Sequence, residues 1–221
     1  MIIICAMKYK LVIFDMDGTI LNTIDDLADS CNVILEKYGF PLHTVEEIKY
    51  MVGNGIPKLI ERALPENVDK ETYDKVLKDY IDYYDQHCQI KTAPYPGMIE
   101  TLKKLKKMGV KLAVNTNKIQ SAAQILCDTY FPGLFDFLAG GAFNIPPKPA
   151  PDGVLRILQG EGLSPKDAIY IGDSDVDIQT GKNAGMDVAG VDWGFRGEAF
   201  LMAHGAVKVL KHCEEVVSIV E

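Results

Sequence analysis

The stretch YKLVIFDMDGT, residues 9–19, decides the fold class of this chain. Its first part, Tyr9–Phe14, is an apolar run that stops at Asp15, a pattern typical of a buried parallel strand. Asp15 and Asp17 lie two residues apart, so on extended backbone their carboxylates point the same way. Gly18 permits a sharp turn out of the strand. An Asx turn at a strand end explains one aspartate, but it explains two followed by Gly and Thr poorly.

A second acidic stretch, GDSDVD at residues 172–177, follows another apolar run. We expect Asp173 at the carboxyl edge of the sheet and Asp177 about one helical turn further on. Asp175 is expected to be the N-cap of the helix that follows. Taken alone, this stretch is equally typical of a solvated acidic helix start, which the helix dipole favours.

Beyond Gly97 the sequence alternates between strand and helix patterns, which predicts a parallel sheet covered on both faces. The predicted strands after the first are Lys111–Asn115, Phe135–Ala139, Ala168–Ile171 and Asp187–Val191, with helices Met98–Lys107, Gln120–Tyr130, Pro151–Gly160 and Val176–Ala184 between them. The predicted fold class is therefore α/β, a doubly wound parallel sheet of the Rossmann-like kind.

Between the first strand and Gly97 the pattern is helical throughout. Helices are predicted from Thr23 to Gly39, after Thr44, from Pro57 and from Lys70 to Gln86, with a flexible break at Gly53–Gly55. We interpret residues 21–88 as a small helical cap inserted into the first crossover, over the carboxyl edge of the sheet where open α/β folds bind ligands. Residues 1–20 and 89–221 then form the catalytic core.

Two acidic stretches at one sheet edge raise an electrostatic problem. Like charges about 4 Å apart repel by about 4 kcal/mol per pair at an effective dielectric constant near 20. Either some of the carboxyls stay protonated or a cation lies among them. Hard oxygen ligands on a preformed edge suit Mg²⁺, which binds one or two carboxylates together with waters and substrate phosphate.

Two weaker features carry positive charge or hydrogen-bond donors toward the same edge. Thr116-Asn117-Lys118 follows the predicted strand Lys111–Asn115, and its hydroxyl and backbone N–H groups could hold phosphate oxygens. Lys148 lies in the rigid stretch PPKPAP, residues 146–151. Taken alone, the first is more typical of a helix N-cap and the second of a solvated lysine.

Length and composition bound the function. The chain has 221 residues, 48% of them hydrophobic, and a formal net charge of −8, enough for one α/β domain with a small insert. The acidity argues against binding the phosphate backbone of nucleic acids. Five cysteines without a CxxC pair argue against a disulfide framework or a zinc site and favour a cytoplasmic location. Ile2–Ile4 is too short for a signal or membrane segment and is expected to be either a strand extension or a ragged chain end, and Met7 is an alternative start to Met1.

The motifs together resemble the haloacid dehalogenase-like hydrolase superfamily, whose pattern is DxDGT, then Ser or Thr, then Lys, then GDxxxD. Asp15–Thr19, Thr116, Lys148 and Gly172–Asp177 supply these in order. Further segments are similar to the phosphoglycolate phosphatase-like branch: Tyr95–Gly97, Asn115–Lys118, Lys148–Pro151, Gly172–Ser174 and the cap loop Gly53–Gly55. Asn115 departs from that branch, where relatives often carry a hydrophobic residue.

The resemblance implies a Mg²⁺-dependent phosphatase acting on a small phosphorylated metabolite. Asp15 would be the nucleophile that forms an aspartyl-phosphate, and Asp17 the general acid and then the general base. Mg²⁺ would be held by the Asp15 carboxylate, the Asp17 backbone carbonyl and Asp173, with Asp177 orienting this shell. The phosphate-binding residues would be Gly18, Thr116, Asn117 and Lys148, and the cap would close to exclude water.

Several alternatives stay open at this stage. Pyrophosphate and sugar phosphates compete with phosphoglycolate as substrates. A β-phosphoglucomutase-like phosphotransferase is a further alternative, although Thr19 stands where such mutases tend to have valine. A dehalogenase is disfavoured because such an enzyme does not need the acid Asp17. A phosphoacceptor switch is disfavoured because domains of that kind lack a cap such as the one predicted here. The sequence leaves open whether Lys58 or Trp193 contacts substrate, and whether the protein is a monomer or a dimer.

Overall fold

A computed structural model describes residues 7–141 and 145–221 of the chain. Its centre is a six-stranded parallel sheet with the order β5-β4-β1-β6-β7-β8. The strands are β1 (Leu11–Phe14), β4 (Lys111–Ile119), β5 (Phe137–Gly141), β6 (Ala168–Gly172), β7 (Asp187–Val191) and β8 (Val209–Leu210). The predicted α/β, doubly wound fold is confirmed.

Helices cover both faces of this sheet, because each strand buries side chains on both sides. In β1, Val12 and Phe14 pack into one apolar layer and Leu11 and Ile13 into the other. The first layer includes α5 (Met98–Lys107), α6 (Gln120–Tyr130) and α10 (Glu215–Val220), and the second α7 (Asp152–Glu161), α8 (Asp175–Asn183) and α9 (Gly197–Ala203).

Four helices follow the first motif before the chain returns to the sheet. They are α1 (Ile24–Lys37), α2 (Val45–Met51), α3 (Ile56–Ala63) and α4 (Lys70–His87). A short antiparallel ribbon of β2 (Leu21–Asn22) and β3 (Ala93–Pro94) joins the two ends of this block. We propose that residues 21–88 are the cap and that residues 1–20 and 89–221 are the core. No helix in the described ranges is long and apolar enough to cross a membrane.

The structure corrects several boundaries. The strand predicted at Lys111–Asn115 continues to Ile119, with a register irregularity against β5, so Thr116, Asn117 and Lys118 lie within a strand rather than after it. The strand predicted at Phe135–Ala139 begins two residues later, because the Asp136 carboxylate instead accepts a hydrogen bond from the Leu112 amide at 2.9 Å.

Two further expectations have different outcomes. The N-cap of α8 is Ser174, so the prediction of Asp175 was wrong; the Ser174 side chain and Asp177 form a reciprocal capping box. Aspartate and serine are both good N-caps, and only the partner three residues on separates the two registers. The strand extension predicted at Ile2–Ile4 lies outside the described residues.

Candidate active site

The acidic stretches meet between β1 and β6, where the order in which successive strands join the parallel sheet reverses. β1 and β6 are neighbours, with Phe14 opposite Ile171, although 157 residues separate them in sequence. Asp15 follows β1 and Asp173 follows β6, so both emerge at the same carboxyl edge. Carboxylate oxygens of Asp15, Asp173 and Asp177 all lie within 4.8 Å of one another. The predicted convergence of the two stretches is therefore present in the structure.

Burial changes the acidity of these carboxyls. Removal from water, reinforced by the negative charge of Asp177, raises the pKa of Asp15 to about 7, although the nearby Lys148 ammonium opposes this. Burial and the charges of Asp177 and Asp15 likewise raise the pKa of Asp173 well above its usual range. Asp15 and Asp173 thus hold a proton more tightly than an ordinary aspartate does, and a further positive charge in the cluster would oppose this.

Lys148 places one such charge at the centre of the cluster. Its Nζ lies 2.7 Å from Asp15 Oδ1 and 2.7 Å from Asp177 Oδ1, with only 4% of the side chain exposed. Burial alone would lower the pKa of Lys148, but the two carboxylates outweigh it and hold the pKa well above its usual value. The proline-rich loop therefore delivers a buried ammonium, not the solvated lysine that composition alone favours.

Asp177 is held on both of its oxygens. Oδ1 accepts the hydrogen bond from Lys148, and Oδ2 accepts from the Ser174 hydroxyl at 2.6 Å and the Ser174 amide at 3.0 Å. A carboxylate fixed in this way orients Lys148 beside Asp15. This arrangement fits the orienting role expected of Asp177.

The side chain of Asp17 turns away from the other three acids. Its Oδ1 accepts hydrogen bonds from the Thr23 hydroxyl at 2.7 Å and from Lys118 Nζ at 2.8 Å. Lys118 is a residue to which the sequence argument gave no role. The signal was its place two residues after Thr116, which on extended backbone puts both side chains on one face of the strand.

The remaining predicted phosphate-binding residues occupy different positions. Thr116 is buried beside the cavity, and its Oγ accepts from the Lys118 amide at 3.1 Å. Gly18 adopts φ +80°, and a Cβ there would lie 2.3 Å from Asp173 Oδ2. The Asn117 amide group binds backbone instead: it accepts from the Lys148 amide at 2.7 Å and donates to the Gly53 carbonyl at 3.2 Å. Asn117 therefore ties the lysine loop and the cap loop to β4.

The segment Trp193–Arg196, after β7, supports the site from another side. The Trp193 indole donates to the Thr19 carbonyl at 2.9 Å, and the Phe195 amide donates to Asp173 Oδ2 at 2.8 Å. The Arg196 guanidinium donates to the Lys49 carbonyl and, at 3.0 Å, to the Val52 carbonyl. These carbonyls end α2, where a helix leaves acceptors unpaired. Arg196 thus binds the cap to the core, a contact that sequence reasoning missed.

Cap and core enclose a small cavity of about 50 Å³ over the acidic cluster. Leu27, Ile56 and Leu59 of the cap form its apolar wall, and Asp15, Lys148 and Asp173 form its floor. Lys58 does not line this cavity: its ammonium pairs with Glu61 at 2.6 Å on the cap surface. Trp193 does not line the cavity either, and its indole N–H is hydrogen-bonded to the Thr19 carbonyl.

The donor set fits a divalent cation that prefers oxygen ligands. Four carboxylates face two ammonium groups here, so the cluster of Asp15, Asp17, Asp173 and Asp177 with Lys118 and Lys148 has a formal charge of −2 when all are ionised. Asp15 Oδ1 is buried and, although Lys148 Nζ lies close, no described residue donates a well-directed hydrogen bond to it. An oxygen left in this state is suited to binding a metal ion.

The sequence profile of the haloacid dehalogenase-like hydrolase family matches residues 12–191. The chain belongs to this family. It is 36% identical over 197 residues to a phosphoglycolate phosphatase from Psychrobacter arcticus, covering 86% of both chains. It is 32% identical over 191 residues to a phosphoglycolate phosphatase from Aquifex aeolicus, covering 84% of this chain and 86% of the relative.

Solved structures agree with this family membership. A Lactobacillus delbrueckii protein proposed to be a phosphoglycolate phosphatase is 40% identical, with a TM-score of 0.91 over 97% of this chain and 99% of that one. CbbY from Rhodobacter sphaeroides, solved with phosphate, has a TM-score of 0.80 at 21% identity over 96% of this chain and 99% of that one, and shows the shared fold. The family and these relatives identify this haloacid dehalogenase-like hydrolase as an enzyme, a phosphatase.

Proposed function

We propose that this hydrolase removes phosphate from a small metabolite, phosphoglycolate first, through an aspartyl-phosphate formed on Asp15. One observation carries the proposal: Asp15 lies buried on the floor of a cavity, 2.7 Å from the Lys148 ammonium and within 4.8 Å of Asp173. A nucleophilic carboxylate, a fixed cation and a metal-binding carboxylate are what phosphoryl transfer demands of a protein.

The metal in this proposal is Mg²⁺, which phosphatases of this family generally use. The Asp15 carboxylate, the Asp17 backbone carbonyl and Asp173 would hold it, with Asp177 orienting the shell through Lys148 and Ser174. When bound, it would supply positive charge that keeps Asp15 ionised and neutralises phosphate oxygens. The raised pKa values of Asp15 and Asp173 support a site built for such a charge.

Asp15 and Asp17 divide the chemistry between them. A carboxylate oxygen of Asp15 forms a bond to phosphorus while the bond to the leaving oxygen breaks, and Asp17 gives that oxygen a proton. Water then attacks phosphorus, Asp17 takes the proton, and the bond to Asp15 breaks to release orthophosphate. Lys148 and Thr116 would bind the phosphoryl oxygens, whose charge spreads in the transition state.

The size of the enclosed cavity supports a substrate of few atoms. About 50 Å³ remains between the cap wall and the acidic floor, room for only a few water-sized groups. Phosphoglycolate has two carbons beyond its phosphate, so it demands less opening of the cap than a hexose phosphate. We further infer a cytoplasmic location, which the four buried cysteines, free in the described ranges, support.

A panel of phosphorylated metabolites, assayed with Mg²⁺ and ranked by kcat/KM, tests this function. We expect phosphoglycolate to rank first, orthophosphate to be released, and the Asp15→Asn variant to be inactive. A preference for pyrophosphate or a sugar phosphate would overturn the substrate, and an isomerised sugar phosphate would indicate a mutase. A phosphorylated protein that persists after substrate is exhausted would indicate a phosphoacceptor switch.

A further inference from the structure

Lys118 is a buried lysine that has no role in the reaction as proposed above. Its side chain is 2% exposed, and its Nζ lies 2.8 Å from Asp17 Oδ1 and 3.2 Å from Asp17 Oδ2. The third contact is the Tyr84 hydroxyl of cap helix α4, which accepts a hydrogen bond from Nζ at 2.7 Å. An ammonium has three donors, and these contacts account for all of them.

The two buried lysines of the site serve different carboxylates. Lys148 contacts Asp15, the proposed nucleophile, and Asp177, whereas Lys118 contacts Asp17, the proposed general acid and base. Burying an ammonium is costly unless it is paired and hydrogen-bonded, so a buried Lys118 requires the Asp17 carboxylate as its partner. The partner that it fixes is the general acid and base.

Tyr84 is the cap residue that binds Lys118, and its side chain is held rigidly in place. Its side chain is fully buried and stacks on Tyr80, one helical turn earlier, with ring centroids 5.7 Å apart and planes 10° apart. The Lys118 ammonium also lies 4.7 Å from the centroid of the Tyr84 ring. Lys118 itself starts from core strand β4, so this contact exists only while α4 rests against the core.

We propose that Lys118 is a positioning residue for Asp17, and that Tyr84 holds Lys118 in that role when the cap is seated on the core. The proposal rests on the proposed function, since it concerns where the acid and base of that reaction is placed. It links two events, closure of the cap and correct placement of the Asp17 carboxyl, through a single ammonium group. Acid–base catalysis is then available only over a covered substrate.

The test compares two leaving groups in a Lys118→Met variant. An alkyl phosphate needs its leaving oxygen protonated, whereas the nitrophenolate of p-nitrophenyl phosphate leaves without help. Both esters give the same aspartyl-phosphate, whose hydrolysis needs a base. We expect kcat on the alkyl ester to fall about 100-fold, the effect of an acid misplaced by about 1 Å, with KM changed less than threefold. With p-nitrophenyl phosphate we expect a burst of one nitrophenolate per protein at the parent rate, followed by slow turnover.

Two more conservative substitutions keep the proposal testable if the Lys118→Met variant does not fold. Tyr84→Phe removes only the hydroxyl that Lys118 binds, and we expect it to lower kcat on the alkyl ester about tenfold while the nitrophenolate burst stays intact. Tyr80→Phe is the matched control, on the same helix and equally buried, because its hydroxyl has no hydrogen-bond partner among the described residues. We expect it to behave as the parent.

The possible results distinguish failure of the positioning role of Lys118 from failure of the proposed phosphatase function. Loss of the nitrophenolate burst in Lys118→Met would mean that Lys118 acts on the phosphoryl group, which overturns the positioning role. Equal losses on both esters in Tyr84→Phe and Tyr80→Phe would reduce Tyr84 to a packing residue and overturn the link to the cap. A parent protein that forms no phosphoenzyme would instead overturn the proposed function, and this proposal with it.

Discussion

Gly194→Ala is the substitution whose effect the structure defines most closely. Gly194 lies in the segment after β7, pressed against Asp173 and the turn of the first motif. A Cβ at this position would lie 2.2 Å from Asp173 Cβ and 2.5 Å from the Gly18 carbonyl oxygen. Ordinary contacts of a Cβ begin near 3.4 Å, so the added methyl is about 1.2 Å too close to Asp173 Cβ and about 0.9 Å too close to the Gly18 carbonyl oxygen. Neither neighbour is the end of a flexible side chain, so the strain cannot be relieved by a rotamer change.

The added methyl of Gly194→Ala would displace Asp173, a proposed metal ligand, and this determines how much activity is lost. A shift of about 1 Å in a catalytic group costs roughly 100-fold in rate, and disturbed support of a metal ligand costs 10–100-fold in metal affinity. We therefore expect kcat/KM to fall about 100-fold and the Mg²⁺ concentration for half-maximal activity to rise at least tenfold. Overpacking is expected to lower the free energy of unfolding by about 1–3 kcal/mol.

The assay is the Mg²⁺ dependence of phosphate release, paired with urea denaturation to measure the free energy of unfolding. Gly160→Ala is the matched control: it adds the same methyl, in helix α7, at 3.4 Å from the nearest atom, Phe137 Cε1. We expect this variant to keep the parent activity and to be at least as stable, since alanine favours a helix. If Gly194→Ala retained the parent kcat/KM and Mg²⁺ requirement, the placement of Asp173 in the metal site would be wrong.

Further predictions concern the charge of the cluster and the seating of the cap. Burial raises the pKa of Asp15 to about 7, against 3.8 for an ordinary aspartate, so between these values the folded chain binds more protons than the unfolded chain and loses stability as the pH rises. Without metal, we expect the melting temperature of the parent protein to fall from pH 4 to 7.5 relative to that of Asp15→Asn. Mg²⁺ is expected to raise the parent's melting temperature at pH 7.5 but little at pH 4. Parallel curves of melting temperature against pH for the two proteins would contradict this. Arg196→Met removes the hydrogen bonds to the end of α2 and is expected to raise KM about tenfold. Arg62→Met, which removes guanidinium bonds within the cap to Met51 and Asn54, is the control with unchanged KM, and equal KM values for both variants would refute the role of Arg196.

The sequence was informative wherever a local pattern sets the position of a side chain. A buried run that stops at an aspartate predicts the end of a parallel strand, and two such runs sufficed to bring Asp15 and Asp173 together. Lys148 lies in a loop stiffened by prolines, but its role was assigned only through the resemblance to the family. In each case the information lies within about ten residues, and the rule that parallel strands share a carboxyl edge supplies the rest.

The features that were missed are contacts between residues that lie far apart in the sequence. Lys118 lies 101 residues from Asp17, and Arg196 lies 147 residues from Lys49, so no local pattern records either contact. The extension of β4 through Thr116 and Asn117 was missed for a related reason. Those residue types favour turns, but pairing of Ile119 with Gly141 of β5 keeps the chain extended.

The most direct test of the account is to trap the phosphoryl group on the protein. Phosphoglycolate with a radiolabelled phosphate is mixed with the enzyme and Mg²⁺, quenched in acid within one turnover, and the protein is digested to locate the label. We expect label on the peptide that contains Asp15. It should be lost at the rate of turnover on a chase with unlabelled substrate, and it should be absent in Asp15→Asn. Turnover at the full rate with no label on that peptide would contradict the account.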